Sequence, residues 1–115
     1  MKITNKTKNT FLAEKVVVAD TLFKRTKGLL GTKDFRSGEA MVIKNCNSVH
    51  TFFMSFPIDI LFVDKSCRVL KAISSLKPFR ITPLYFKADF VVELPVGTIE
   101  SSSTTIGDLL SLQPQ

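Results

Sequence analysis

The sequence contains no apolar run near the roughly 20 residues that a membrane span needs. Nor is the positive start, Met1-Lys2-Ile3-Thr4-Asn5-Lys6, followed by the apolar stretch of a secretory signal. These two absences point to a cytoplasmic chain with no membrane partner. Cysteine is scarce: Cys46 and Cys67 are compatible with reduced thiols, and two of them establish neither a bridge nor a metal site. There is one histidine, His50. No internal repeat, low-complexity stretch or long linker occurs. A phosphate-cradling loop needs several glycines at defined spacing ahead of a helix, and Gly107-Asp108 supplies only a turn.

What is present fits one globular domain spanning residues 1–115. A chain of 115 residues buries roughly two-thirds of its unfolded surface, so disulfide or metal staples are not required. Apolar residues at 44% and charged residues at 23% argue against disorder. The net charge is +6, and it is unevenly placed. Residues 1–44 hold ten Lys/Arg against four Asp/Glu, whereas residues 45–115 hold six of each. A basic N-terminal half can attract nucleic acid, but scattered lysines are explained more simply as a solvated face. Eight of the eleven aromatic residues fall between Phe52 and Phe90. That half is neutral by count, which separates rings from cations and favours core packing over a single-strand stacking platform.

The hydrophobic pattern predicts about six or seven short strands and one helix. Met1–Asn5 reads as a short first strand, and Phe11–Val18 ends in the branched triplet Val16-Val17-Val18. Leu22, Phe23, Thr26, Leu29 and Leu30 form a helical stripe behind Asp20 and Thr21, both competent N-caps. Ala40–Ile43, Ile58–Val63, Arg68–Ile73 and Phe90–Leu94 read as strands. The turn Asp64–Cys67 joins the second and third of these as a hairpin. Pro78 and Pro83 place residues 74–84 in a loop or edge segment. The expected fold class is α+β, mostly β: a small curled antiparallel sheet or barrel-like domain with the helix packed against it.

Asp59 is the most informative candidate. Alternate strand residues point to opposite faces, and Ile58, Ile60, Leu61, Phe62 and Val63 make both faces apolar. A carboxylate there must be paired or hydrogen-bonded. Arg25, His50 and Arg80 are candidate partners, and backbone N–H groups at the strand end are the structural alternative. Arg25, His50 and Asp59 therefore define a candidate polar cluster, with Arg80, Glu93 and Asp108 as secondary candidates. Glu93 lies opposite Phe90, Val92 and Leu94 in the alternation, which permits it to face solvent. Cys46 and His50 have a C-x3-H spacing, but a closed zinc site needs two further ligands. A thiol nucleophile lowered by His50 lacks a recognisable orienting acid. No cofactor is implied.

Several segments occur in an order that resembles a known family. They are Arg25-x-x-Gly28-Leu29-Leu30, Cys46-x-Ser48-Val49-His50-Thr51-Phe52-Phe53-Met54, and Phe56-Pro57-Ile58-Asp59-Ile60-Leu61-Phe62-Val63-Asp64. Lys77-Pro78-Phe79-Arg80, Glu93-Leu94-Pro95-Val96-Gly97-Thr98 and Gly107-Asp108 follow. Together they resemble the prokaryotic family catalogued as domain of unknown function 192, over about residues 12–112. The resemblance implies a small β-rich protein and supplies no reaction, cofactor or partner. Residues at the family's recurring positions are Arg25, Gly28, His50, Met54, Asp59, Pro78, Glu93, Gly97 and Asp108. Leu30 replaces its usual Met, and Cys67 replaces a turn glycine, which strains the hairpin. The leading reading is a non-catalytic small-molecule or protein binding or accessory domain. One alternative is a metal-dependent or thiol hydrolase using His50, Asp59 and Cys46, and another is nucleic-acid binding through the basic N-terminal half.

Overall fold

The computed structural model describes residues 1–19, 35–52 and 54–114. The helix expected at Leu22–Leu30 and the candidate Arg25 lie outside the described residues. Seven strands form one sheet: β1 (Lys2–Asn5), β2 (Thr10–Ala19), β3 (Gly38–Lys44), β4 (Ile58–Val63), β5 (Val69–Leu76), β6 (Phe90–Pro95) and β7 (Leu110–Gln113). Their order across the sheet is β5-β4-β6-β3-β2-β1-β7. A short helix, α1 (Thr98–Ser102), lies between β6 and β7. The mostly-β, curled architecture expected from the sequence is what the structure shows. One pairing departs from the antiparallel expectation: β2 and β3 run parallel.

The sheet curls into a half-barrel, and its two edge strands meet at one end. There Arg68 bridges Leu109, and the amides of Val69 and Leu110 donate to the carbonyls of Asp108 and Cys67 at 2.9 and 2.8 Å. Cys67 adopts φ 66°, so the hairpin turn is strained where a glycine is expected. Asp64 offsets this by accepting the amides of Ser66 and Arg68 at 2.9 and 3.0 Å.

Alternation along the central strands sends side chains into two separate cores. Leu61, Val63, Phe90, Val92 and Leu94 point into the half-barrel with Ile3, Leu12 and Leu110. Ile58, Ile60, Phe62 and Val91 point to the outer face, where Val49, Met54 and Tyr85 from the connecting loops cover them. Every residue of β4 and of β6 is buried. Glu93 is thus not solvent-facing, as alternation permitted, but 0% exposed. The period of two tells which residues share a face; it does not tell whether a loop layer covers that face.

This two-sided covering is directly testable. Ile60→Ala and Leu61→Ala delete side chains on opposite faces, and each is expected to cost about 2–5 kcal/mol in chemical denaturation. A cost well below that for either one would mean that its face is open to water.

Candidate functional site

Asp59 is 1% exposed and points into the mouth of the half-barrel. Neither of its oxygens goes to a described cation. Oδ1 accepts the amide of Ser75 at 2.9 Å, and Oδ2 accepts the amides of Gly97 and Ile99 at 3.1 and 3.0 Å. The backbone is shaped to deliver these donors. Register between β4 and β5 slips between Ile58 and Ile60, and Ser75 sits in the bulge at φ 53°. Gly97 has φ 98°, which turns its amide toward the carboxylate and opens α1. Asp59 therefore caps α1 from a distant strand, satisfying amides that no side chain of the helix itself serves. An ionised acceptor suits this position, since charge-assisted bonds are the strong ones.

The far end of the same segment is held by a second buried acid. Asp108 accepts Asn5 Nδ2 at 2.8 Å, the Thr105 amide at 3.0 Å and Lys8 Nζ at 2.8 Å. Asn5 is fully buried, and it also donates to Thr104 Oγ1 at 3.1 Å while accepting the Lys8 amide at 2.9 Å. Burial by itself would raise the Asp108 pKa. Hydrogen bonds from Lys8, Asn5 and the Thr105 amide, together with the Lys8 charge, outweigh it and lower the value from 3.8 to about 2. Between these two clamps, α1 touches β2, β5 and β6 and seats Ile99 in the inner core. An element reaching strands so far apart in the sheet order lies across the mouth.

The described candidate residues divide between the two faces of the sheet. Asp59 faces the half-barrel interior with Leu61 and Val63, whereas Glu93 lies on the outer face between Met41 and Ile60. His50 belongs to the loop layer over that outer face, where it bridges Ile81 and stacks on Phe52 at a centroid distance of 5.2 Å. The central sheet therefore separates Asp59 from His50. Arg80 is also in the loop layer, with an exposed side chain. The Cys46 thiol donates to the Ser48 carbonyl at 3.0 Å. Among the described residues, no three His, Cys, Asp or Glu side chains gather as a metal site would require. Two surface hollows of about 370 and 360 Å³ are lined by residues of β1–β2 and by Val42, Asp89 and Leu112 with their neighbours. Neither includes Asp59, His50 or Glu93.

Sequence reasoning passed over Thr51, which organises the loop layer. It is fully buried, its amide donates to the Arg80 carbonyl at 2.8 Å, and its carbonyl accepts the Phe79 amide at 2.9 Å. Its hydroxyl donates to the Lys77 carbonyl at 2.6 Å and accepts the Arg80 amide at 3.0 Å. The turn Lys77–Arg80 is thereby stapled with Phe79 at φ 62° and its ring 69% exposed. Ile81, Leu84 and Phe86, in the extended segment that follows, are exposed as well, Phe86 by 82%. The sequence offers little hint of this, since Thr51 is one of three polar residues, with His50 and Ser55, in the run 49–56.

Residues 2–112 match the profile of DUF192, described as "Uncharacterized ACR". A UPF0127 protein of Thermococcus sibiricus is 33% identical over 108 residues, covering 90% of this chain and 70% of that protein. A UPF0127 protein of Pyrococcus horikoshii is 34% identical over 110 residues, covering 92% and 94%. Among solved structures, a protein of unknown function from Novosphingobium aromaticivorans superposes with TM-score 0.79 at 19% identity, covering 96% of this chain and 82% of that one. A second, described as a putative transcription regulator from Sinorhizobium meliloti, gives TM-score 0.78 at 17% identity, covering 96% and 89%. At those identities the two structures speak for the fold alone. No helix among the described residues is long and apolar enough to cross a membrane.

Two outcomes follow from the clamps. Asp59→Asn replaces one of two acceptor oxygens by a donor facing an N–H, so it should cost about 2–4 kcal/mol in denaturant titration; an unchanged midpoint would contradict the capping role. For Asp108, the native pKa of about 2 lies below the ordinary 3.8, so its stabilisation is complete above the unfolded value. It fades as pH falls toward the native value, a total of about 2 kcal/mol. The stability gap between the native protein and Asp108→Asn should therefore narrow between about pH 4 and pH 2. A gap independent of pH would contradict it.

Proposed function

The chain belongs to the DUF192 family, and from that premise we propose that it is a non-catalytic binding domain whose recognition surface is the loop layer around Thr51. One observation carries this reading. Phe79 is held in the left-handed region, which costs a non-glycine residue about 1–2 kcal/mol, yet its ring is directed to solvent. Strain kept for an exposed ring gains nothing in packing, and such outliers cluster where a partner is met. Ile81, Leu84 and Phe86 add further exposed apolar side chains along the segment that follows.

The two carboxylates Asp59 and Asp108 serve the scaffold in this reading. The Asp59 oxygens are occupied by backbone amides, and Asp108 is engaged by Asn5, Lys8 and Thr105. Asp59 faces the inner core, whereas Cys46 and His50 belong to the loop layer over the outer face, and that separation supports a binding role over a hydrolytic centre built from the three.

The test combines stability with contact. Phe79→Gly relieves the backbone strain and should raise stability by about 1 kcal/mol. A photo-crosslinking phenylalanine at Phe86 should give a discrete covalent adduct in cells, and the same group at the exposed Ile106, in the turn before β7, should give none. Destabilisation by Phe79→Gly, or no adduct from the Phe86 position, would overturn the reading.

A further inference from the structure

All six Lys/Arg residues of the C-terminal portion 45–115 lie between 65 and 88, a stretch without Asp or Glu. The neutrality of that portion is one of counting only. Three of its six acids, Asp59, Glu93 and Asp108, are buried, so they do not balance the cations at the surface. Exposed Lys77, Arg80 and Lys87 stand in the loop layer. They form no ion pair among the described residues, where Lys8 with Asp108 is the pair present. Each protruding ring of this loop is adjacent to a cation in sequence: Phe79 to Arg80, and Phe86 to Lys87. A third exposed ring, Phe52, is joined to the Phe79 turn through Thr51 and is backed by the stacked imidazole of His50.

We propose that this surface binds single-stranded nucleic acid, with Phe52, Phe79 and Phe86 as stacking faces and Lys77, Arg80 and Lys87 as phosphate contacts. The inference rests on the binding-domain reading above and names its partner. A single strand offers a π face and a negative charge at every nucleotide, which is the alternation this surface presents. A protein partner would call for an apolar centre depleted of lysine, with charge at the rim. Here cations and rings are interleaved. Aromatic stacking tolerates any base, so little sequence preference is expected. Among the described residues of the basic N-terminal half, Phe11 is the exposed ring, so the repeated alternation of rings and cations seen in the loop is not matched there.

The experiment uses the full chain and fluorescein-labelled oligo-dT and oligo-rU of about twenty nucleotides, read by anisotropy from about 20 to 200 mM salt. Both oligomers should bind, with affinity falling steeply as salt rises. Lys77→Gln/Arg80→Gln/Lys87→Gln should flatten the log–log salt slope by about 2. Phe79→Ala/Phe86→Ala should weaken binding about tenfold or more and leave the slope unchanged. Lys2→Gln/Lys6→Gln/Lys15→Gln should retain the loop-dependent part of the affinity. All substituted side chains of the loop are exposed, and thermal melts verify that these variants stay folded. Binding that is absent at the lowest salt, or insensitive to the loop substitutions, overturns the inference. If oligomers fail while phosphatidylglycerol vesicles or a Glu/Leu-rich peptide bind in a Phe79-dependent way, the nucleic-acid assignment falls and the binding domain stands. If none of these binds and the Phe86 crosslink is also absent, both fall.

Discussion

The constraint on which the fold depends is the seating of the Asp59 carboxylate against three backbone amides. The inner core of a curled sheet is open at its mouth, and α1 is the element that covers it. A helix of five residues, Thr98–Ser102, cannot hold itself together, because nucleation is costly and its sequence is rich in serine. Asp59 supplies the cap that the helix lacks, and the Asn5–Asp108–Lys8 network anchors the chain beyond it. The burial of a charge is tolerable here because its hydrogen-bonding capacity is met by donors that would otherwise be unpaired in the same apolar surroundings. Two acids near the ends of one segment thus close the half-barrel.

This arrangement also bears on where the proposed recognition surface lies. Interior carboxylates whose oxygens are already taken up by protein donors are poor material for a site that exchanges ligands. The outer face of the sheet is covered by loops rather than by a helix or a second sheet among the described residues, and loops on a rigid scaffold are where surface chemistry varies most freely. Thr51 makes one such loop rigid. By satisfying the backbone of Lys77, Phe79 and Arg80 from within, it fixes a turn in which these three residues are exposed.

Much of the fold was legible in the sequence because period-two patterning is local. The strands at 58–63 and 90–95 followed from apolar runs bounded by Pro57, Asp64 and Pro95, and the burial of Asp59 followed from its neighbours. Its partners were not legible. Ser75, Gly97 and Ile99 are 16 to 40 residues away, and an amide carries no residue-specific signature. The same non-locality hid α1, whose cap lies on another strand, and the parallel pairing of β2 with β3. Glu93 misled because alternation cannot register a covering layer. Phe79 was passed over because its backbone strain depends on Thr51, and the surface charge was obscured because buried and exposed acids count alike in composition.

The account is tested most directly by native-state hydrogen exchange at the amides of Ser75, Gly97 and Ile99. All three donate to Asp59 at 2.9–3.1 Å, so each should exchange only through global unfolding, with protection equal to that of β4 and β6. In Asp59→Asn, Gly97 and Ile99 should exchange through local opening of α1 while the β4 and β6 amides stay protected. Rapid exchange at these three amides in the native protein, at the rate of exposed loop amides, would contradict the carboxylate clamp.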